Sequence, residues 1–81
     1  VYLSWHSNAF NGNARGTSTY TSALGNVTAG SDRFGDLIQE ELMDTLRTNW
    51  DGSWQDRGHL TADFAEVNPN HNPEMPSALV E

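Results

Sequence analysis

The chain has 81 residues, with eleven acidic side chains against four arginines, no lysine and no cysteine, for a formal charge of -7. That balance argues against nucleic acid and against a polybasic membrane patch, since both rest on cationic contacts to phosphate. The missing cysteine excludes disulfides and thiolate metal sites. A domain of this size buries only about 60–65 % of the surface its unfolded chain exposes, so one small domain, or part of a larger one, is expected. No apolar run approaches the ~20 residues of a membrane span. Val1 starts inside an apolar stretch without a methionine and Glu81 closes another. The chain is therefore expected to be an excerpt, in which the lack of a targeting segment carries no meaning.

Val1 to Trp5 is almost continuously apolar or small, the pattern of a strand covered on both faces. His6 follows it, and a loop with Ser7, Asn8 and Asn11 leaves the strand end. Asn11-Gly-Asn-Ala-Arg-Gly16 is turn chemistry. Thr17-Ser-Thr-Tyr-Thr-Ser22 reads as a second, more polar strand near an edge. A helix is expected next, N-capped by Ser31 or Asp32, with Phe34, Leu37, Ile38, Leu42, Leu46 and Trp50 forming one apolar stripe and Gly52 as its stop. Gly35 inside it costs about 1 kcal/mol relative to alanine unless close packing offsets the loss. Asp51 to Gly58 reads as a polar loop, and Thr61 to Val67 alternates like a third strand. Asn68 to Pro76 holds all three prolines and predicts irregular structure. Ser77 to Val80 is a fourth short strand, ending in Glu81. Strand, strand, helix, strand, strand predicts an α/β domain with a mixed sheet.

Two positions carry the chemistry. In open α/β sheets ligands sit beyond the carboxyl ends of strands, which is where His6 falls, and imidazole is the commonest metal-ligating side chain. Taken alone, a histidine after an apolar strand also fits a hydrogen-bonded structural role. Glu81 follows Ala78, Leu79 and Val80, where a carboxylate is costly unless it is paired, hydrogen-bonded or near a cation; an exposed strand end is the simpler reading. His59 and His71 are loop histidines, for which solvation is the default. Asp63 suits an arginine pair or a turn cap, and Arg15 has many acidic partners available. Tyr20 and Trp50 suit packing, and Trp54, in a loop, is the better candidate for stacking on a sugar ring.

Five pieces in order, covering nearly all of the chain, carry a resemblance. They are Leu3-Ser-Trp-His-Ser-Asn-Ala9, Ala14-Arg-Gly-Thr-Ser-Thr-Tyr20, the helix with Ile38 and Leu42, Arg57-Gly-His-Leu-Thr-Ala-Asp-Phe64, and Met75-Pro-Ser-Ala-Leu-Val-Glu81. Together they resemble the later part of the catalytic domain of zinc-dependent N-acetylmuramoyl-L-alanine amidases, the amidase type 3 cell-wall hydrolases. The resemblance implies a phosphorylase/hydrolase-like α/β fold, a mixed and mostly parallel sheet flanked by helices, present here over residues 1–81 as a partial domain.

It also implies that His6 is a zinc ligand and Glu81 the catalytic carboxylate, with hydrolysis of the amide between N-acetylmuramic acid and L-alanine in peptidoglycan. The location it implies is the bacterial cell envelope, periplasmic or secreted. The family's first zinc histidine and its zinc glutamate have no counterpart here, so the 81 residues on their own are expected to be inactive. Trp5 replaces the more usual aliphatic residue before the histidine, and the Asn68–Pro76 connection is longer than the family's. Two other readings stay open: a non-catalytic module that only binds cell-wall glycopeptide, and a related zinc hydrolase acting on another amide. Nothing in the residues speaks to oligomeric state.

Overall fold

The computed structural model describes residues 1–6, 16–24, 30–71 and 75–81. Ser7, Asn8, Asn11 and Arg15 lie outside the described residues. The elements are β1 (Tyr2–Trp5), β2 (Thr17–Ser22), α1 (Ser31–Asn49), β3 (Asp56–Ala62) and β4 (Ser77–Val80), with a 3-10 turn at Ala65–Val67 between β3 and β4. The strands form one sheet in the order β1-β4-β2-β3. β1 runs parallel to β4 and β2 parallel to β3, while β2 and β4 are antiparallel. The mixed, mostly parallel α/β sheet expected from the sequence is present.

The polar strand is central, not near an edge. β2 has β4 on one side and β3 on the other, and all of it but Tyr20 is buried. Its threonines are tolerated there largely because α1 answers them. Thr19 Oγ1 donates to Gln39 Oε1 at 2.8 Å, and Gln39 Nε2 donates to the Thr17 carbonyl and to Asp56 Oδ1, both at 2.7 Å. Thr21 Oγ1 donates to Asp32 Oδ1 at 3.2 Å. Among the described residues no buried side-chain nitrogen or oxygen lacks a partner, which removes the main cost of a polar interior. On the opposite face Tyr20 meets Phe64 edge-on, centroids 5.3 Å apart.

β1 reverses its expectation in the same way. It is an edge strand rather than one covered on both faces, with Leu3 42 % and Trp5 66 % exposed. The reason is placement: α1 packs on β2, β4 and β3, and an apolar run does not by itself say which strand a helix covers.

α1 turns a different side to the sheet from the one its apolar stripe predicts. The buried positions are Ser31, Gly35, Gln39 and Met43, spaced by four. Phe34, Ile38, Leu42 and Leu46 flank them half-buried, while Leu37 and Trp50 are exposed. The N-cap is Gly30, at φ +86, not Ser31 or Asp32. Ser31 is instead buried, its Oγ accepting the Ser77 amide at 3.0 Å and tying the helix start to β4. The helix closes at Asn49, where the amides of Trp50 and Asp51 both return to the Leu46 carbonyl.

The third strand starts earlier than expected, at Asp56, and residues 61–67 split between its end and the 3-10 turn. Gly58 allows this: at φ +87 it sits where the pairing of β3 with β2 shifts register, and its amide bonds Asp56 Oδ1 at 2.8 Å. Asp63 then falls just beyond the strand, exposed, where a carboxylate costs nothing.

Gly35 is the closest approach of helix and sheet. A Cβ there would lie 2.7 Å from His59 Nε2 and 2.8 Å from Thr21 Cγ2, with His59 held by hydrogen bonds through both ring nitrogens. Overpacking of this kind typically costs about 1–3 kcal/mol, more than the ~1 kcal/mol that alanine gains in helix propensity. Gly35→Ala is expected to lower the unfolding midpoint of the full-length protein in a thermal or urea melt. An unchanged or raised midpoint would show that the helix can lift off the sheet without loss.

Candidate functional site

The site is built where β1 and β4 end together. The parallel register pairs Trp5 with Val80, and the His6 amide donates to the Val80 carbonyl at 2.9 Å, adding one more rung that sets His6 opposite Glu81. Neighbouring strands lie about 4.8 Å apart and residues on one rung share a face. On its other side Glu81 exchanges both backbone hydrogen bonds with Ser18, each at 2.9 Å. Glu81 is thus held by backbone between β1 and β2, and its position owes nothing to its side chain. The buried run Ala78, Leu79 and Val80 anchors the strand that presents it.

The face follows from the pairing. Thr19, opposite Val80, reaches α1 through Gln39, so the next rung, with Ser18, Glu81 and His6, turns away from the helix. The 3-10 turn lies on this side, and it brings a residue that the sequence did not mark. Glu66 Oε2 stands 3.1 Å from His6 Nε2, and Ser4 Oγ stands 2.9 Å from the same nitrogen. His6 is half-exposed and Glu66 about one-third exposed, so the pair is open to solvent. Beside it a cleft of about 340 Å³ is lined by Tyr2, Ala65, Glu66, His71 and Met75. Glu66 lies in a stretch that alternates like a strand, and only the turn geometry directs it back to a histidine near the other end of the chain.

The donors suit a metal in kind. An imidazole nitrogen and a carboxylate oxygen are the types that zinc takes, and a catalytic zinc has three protein ligands. Among the described residues no group of three or more histidine, aspartate or glutamate side chains is gathered closely enough to hold an ion. His6 and Glu66 alone do not make such a set.

A second constellation has the look of a nucleophile triad. His59 Nδ1 donates to Asp36 Oδ1 at 2.7 Å and its Nε2 is hydrogen-bonded to Thr21 Oγ1 at 2.7 Å. Thr21, however, is fully buried beneath α1, where no substrate carbonyl can reach its oxygen. The triad is a fastening between helix and sheet, and His59 is a structural histidine.

The remaining candidates sort by packing. Trp54 is half-buried and anchored: its Nε1 donates to Thr17 Oγ1 at 2.9 Å and its ring leans on Trp50 at 4.7 Å. Tyr20 packs on Phe64 as expected. His71 is exposed at the rim of the cleft, with Nδ1 donating to the Ala65 carbonyl at 3.2 Å.

Across residues 1–81 the chain matches the family model described as N-acetylmuramoyl-L-alanine amidase. No curated protein and no solved structure matches it.

Proposed function

Because the chain belongs to the N-acetylmuramoyl-L-alanine amidase family, we propose that it takes part in zinc-dependent hydrolysis of the amide joining N-acetylmuramic acid to L-alanine in peptidoglycan. Family membership implies an amidase acting on the cell wall; the metal, the particular bond and the residue roles are the proposal. The observation that carries it is the rung that sets His6 beside Glu81 at the carboxyl ends of two parallel strands.

In this reading His6 is one ligand of a zinc ion, which when bound supplies a Lewis acid and lowers the pKa of water toward 7. Glu81 takes a proton from the attacking water and returns it to the departing nitrogen of L-alanine. Its backbone bonds to Ser18 keep the strand end in place while the carboxylate does this. The open face around His6 and Glu66 leaves room for a glycopeptide strand, an extended substrate that a closed pocket would not admit. In this reading the protein works outside the cytoplasm, in the periplasm or secreted.

The test is incubation of the full-length protein with purified peptidoglycan and mass analysis of the soluble products. Stem peptides with a free L-alanine amino group are expected, and a chelator should abolish their release. Binding without release would leave the non-catalytic cell-wall module, and cleavage at another amide would leave the related hydrolase.

A further inference from the structure

We propose that Trp50 and Trp54 form a stacking platform for a sugar ring of the glycan strand, at a subsite away from the bond to be cut. The proposal rests on the peptidoglycan reading for the identity of its ligand and adds a binding site to it.

The platform stands at the same end of the sheet as His6 and Glu81. β2 runs antiparallel to β4, so the start of β2 lies beside the end of β4, where Ser18 and Glu81 exchange backbone hydrogen bonds. Thr17, one residue earlier, accepts the Trp54 indole N–H at 2.9 Å. Side chains alternate along a strand, so Thr17 shares the helix face with Thr19, whereas Ser18 and Glu81 turn to the other face. The tryptophans and the carboxylate therefore flank one sheet end from its two sides. An extended polymer crossing that end meets both.

The pair is held in place from several directions. The Trp54 carbonyl accepts from Arg47 Nε at 2.8 Å, the Trp54 amide donates to the Asp51 carbonyl at 3.0 Å, and the Trp50 amide closes the helix on Leu46. Trp54 thus braces Trp50, with centroids 4.7 Å apart and rings tilted by 50°, yet Trp50 is 66 % exposed. A rigid aromatic face loses little conformational entropy when a ligand settles on it. The chemistry selects a sugar. A pyranose has an apolar C–H face that can lie on an indole, and hydroxyls around its rim that need polar partners. Ser53 and Gln55, exposed on the same loop, bring a hydroxyl and an amide to the neighbourhood of the platform. The chain's charge of -7 disfavours an anionic polymer, and stacking holds a neutral ring without a cation.

The test uses the full-length protein labelled with ¹⁵N at tryptophan. The probe is an oligosaccharide of alternating N-acetylglucosamine and N-acetylmuramic acid that carries no stem peptide. Its addition is expected to move the Trp50 indole N–H resonance saturably. Calorimetry on Trp50→Ala should show an affinity lower by about tenfold or more, the loss typical of truncating a contact tryptophan. Trp50→Phe keeps an aromatic face and should recover part of that loss. A Trp50 resonance that does not respond to the sugar would overturn the proposal, as would wild-type affinity in Trp50→Ala. An equal loss in Leu37→Ala, an exposed apolar position elsewhere on α1, would overturn it too. A resonance that moves with protein concentration and not with sugar would make the pair a contact between copies of the chain instead. The probe offers no stem peptide to release, so failure here leaves the hydrolysis reading standing. Sugar bound at Trp50 by a protein that releases no stem peptide would keep the platform and remove the amidase.

Discussion

Glu81→Ala in the full-length protein is expected to lower turnover on peptidoglycan by at least about a hundredfold while zinc content stays at the wild-type level, because general acid–base groups typically contribute about 10²–10⁴-fold. The structure makes this substitution a clean one. Glu81 is held by backbone bonds to Ser18, and its chain position beside His6 comes from strand pairing, so removing the carboxylate leaves the rung intact. Affinity for the glycan strand should change little. Metal content and stem-peptide release measured on the same samples decide the matter. Zinc lost along with activity would make Glu81 a ligand or a structural support. Full turnover with zinc retained would remove it from proton transfer altogether.

His6→Ala should behave differently: zinc affinity and hydrolysis fall together, by more than the ~10–100-fold that outer-sphere partners cost. The fold should survive, since the side chain is half-exposed and surface substitutions usually shift stability by no more than about 0.5 kcal/mol. A melt within a degree or two of wild type when both are measured metal-free, beside an emptied site when zinc is added, is the expected pair of results. Retained zinc with lost activity would move His6 from the metal to the substrate.

The outline of this fold is legible in the residues, and so is the standing of His6 and Glu81 at the ends of two paired strands. β4, the helix and the order of elements follow from apolar runs, turn residues and spacing, and His6 and Glu81 are marked by standing at the ends of apolar strands. What periodicity misreads is burial. It weighs apolar character, and here the helix–sheet contact is made by hydrogen-bonded side chains, Gln39 against Thr17 and Thr19, and by a glycine, Gly35. Apolar content alone therefore puts the polar strand β2 outside and the apolar strand β1 inside, the reverse of what the sheet order gives. Glu66 has no signature at all in the sequence. Its meeting with His6 depends on a short turn after β3 and on the parallel pairing of β1 with β4, and neither is a local property.

The polar character of the interior has a thermal consequence. Buried side chains include Thr17, Ser18, Thr19, Thr21, Ser22, Ser31, Gln39 and Ser77, against Met43, Val67, Ala78, Leu79 and Val80 on the apolar side. Hydrating apolar surface raises the heat capacity of the unfolded chain by about 0.45 cal/K/mol per Å², while hydrating polar surface lowers it by about 0.26. The two contributions oppose each other more evenly in this part of the molecule than in an aliphatic core. Its share of the stability curve is correspondingly flat, so cooling weakens the helix–sheet contact less than it would weaken one made of leucine and isoleucine.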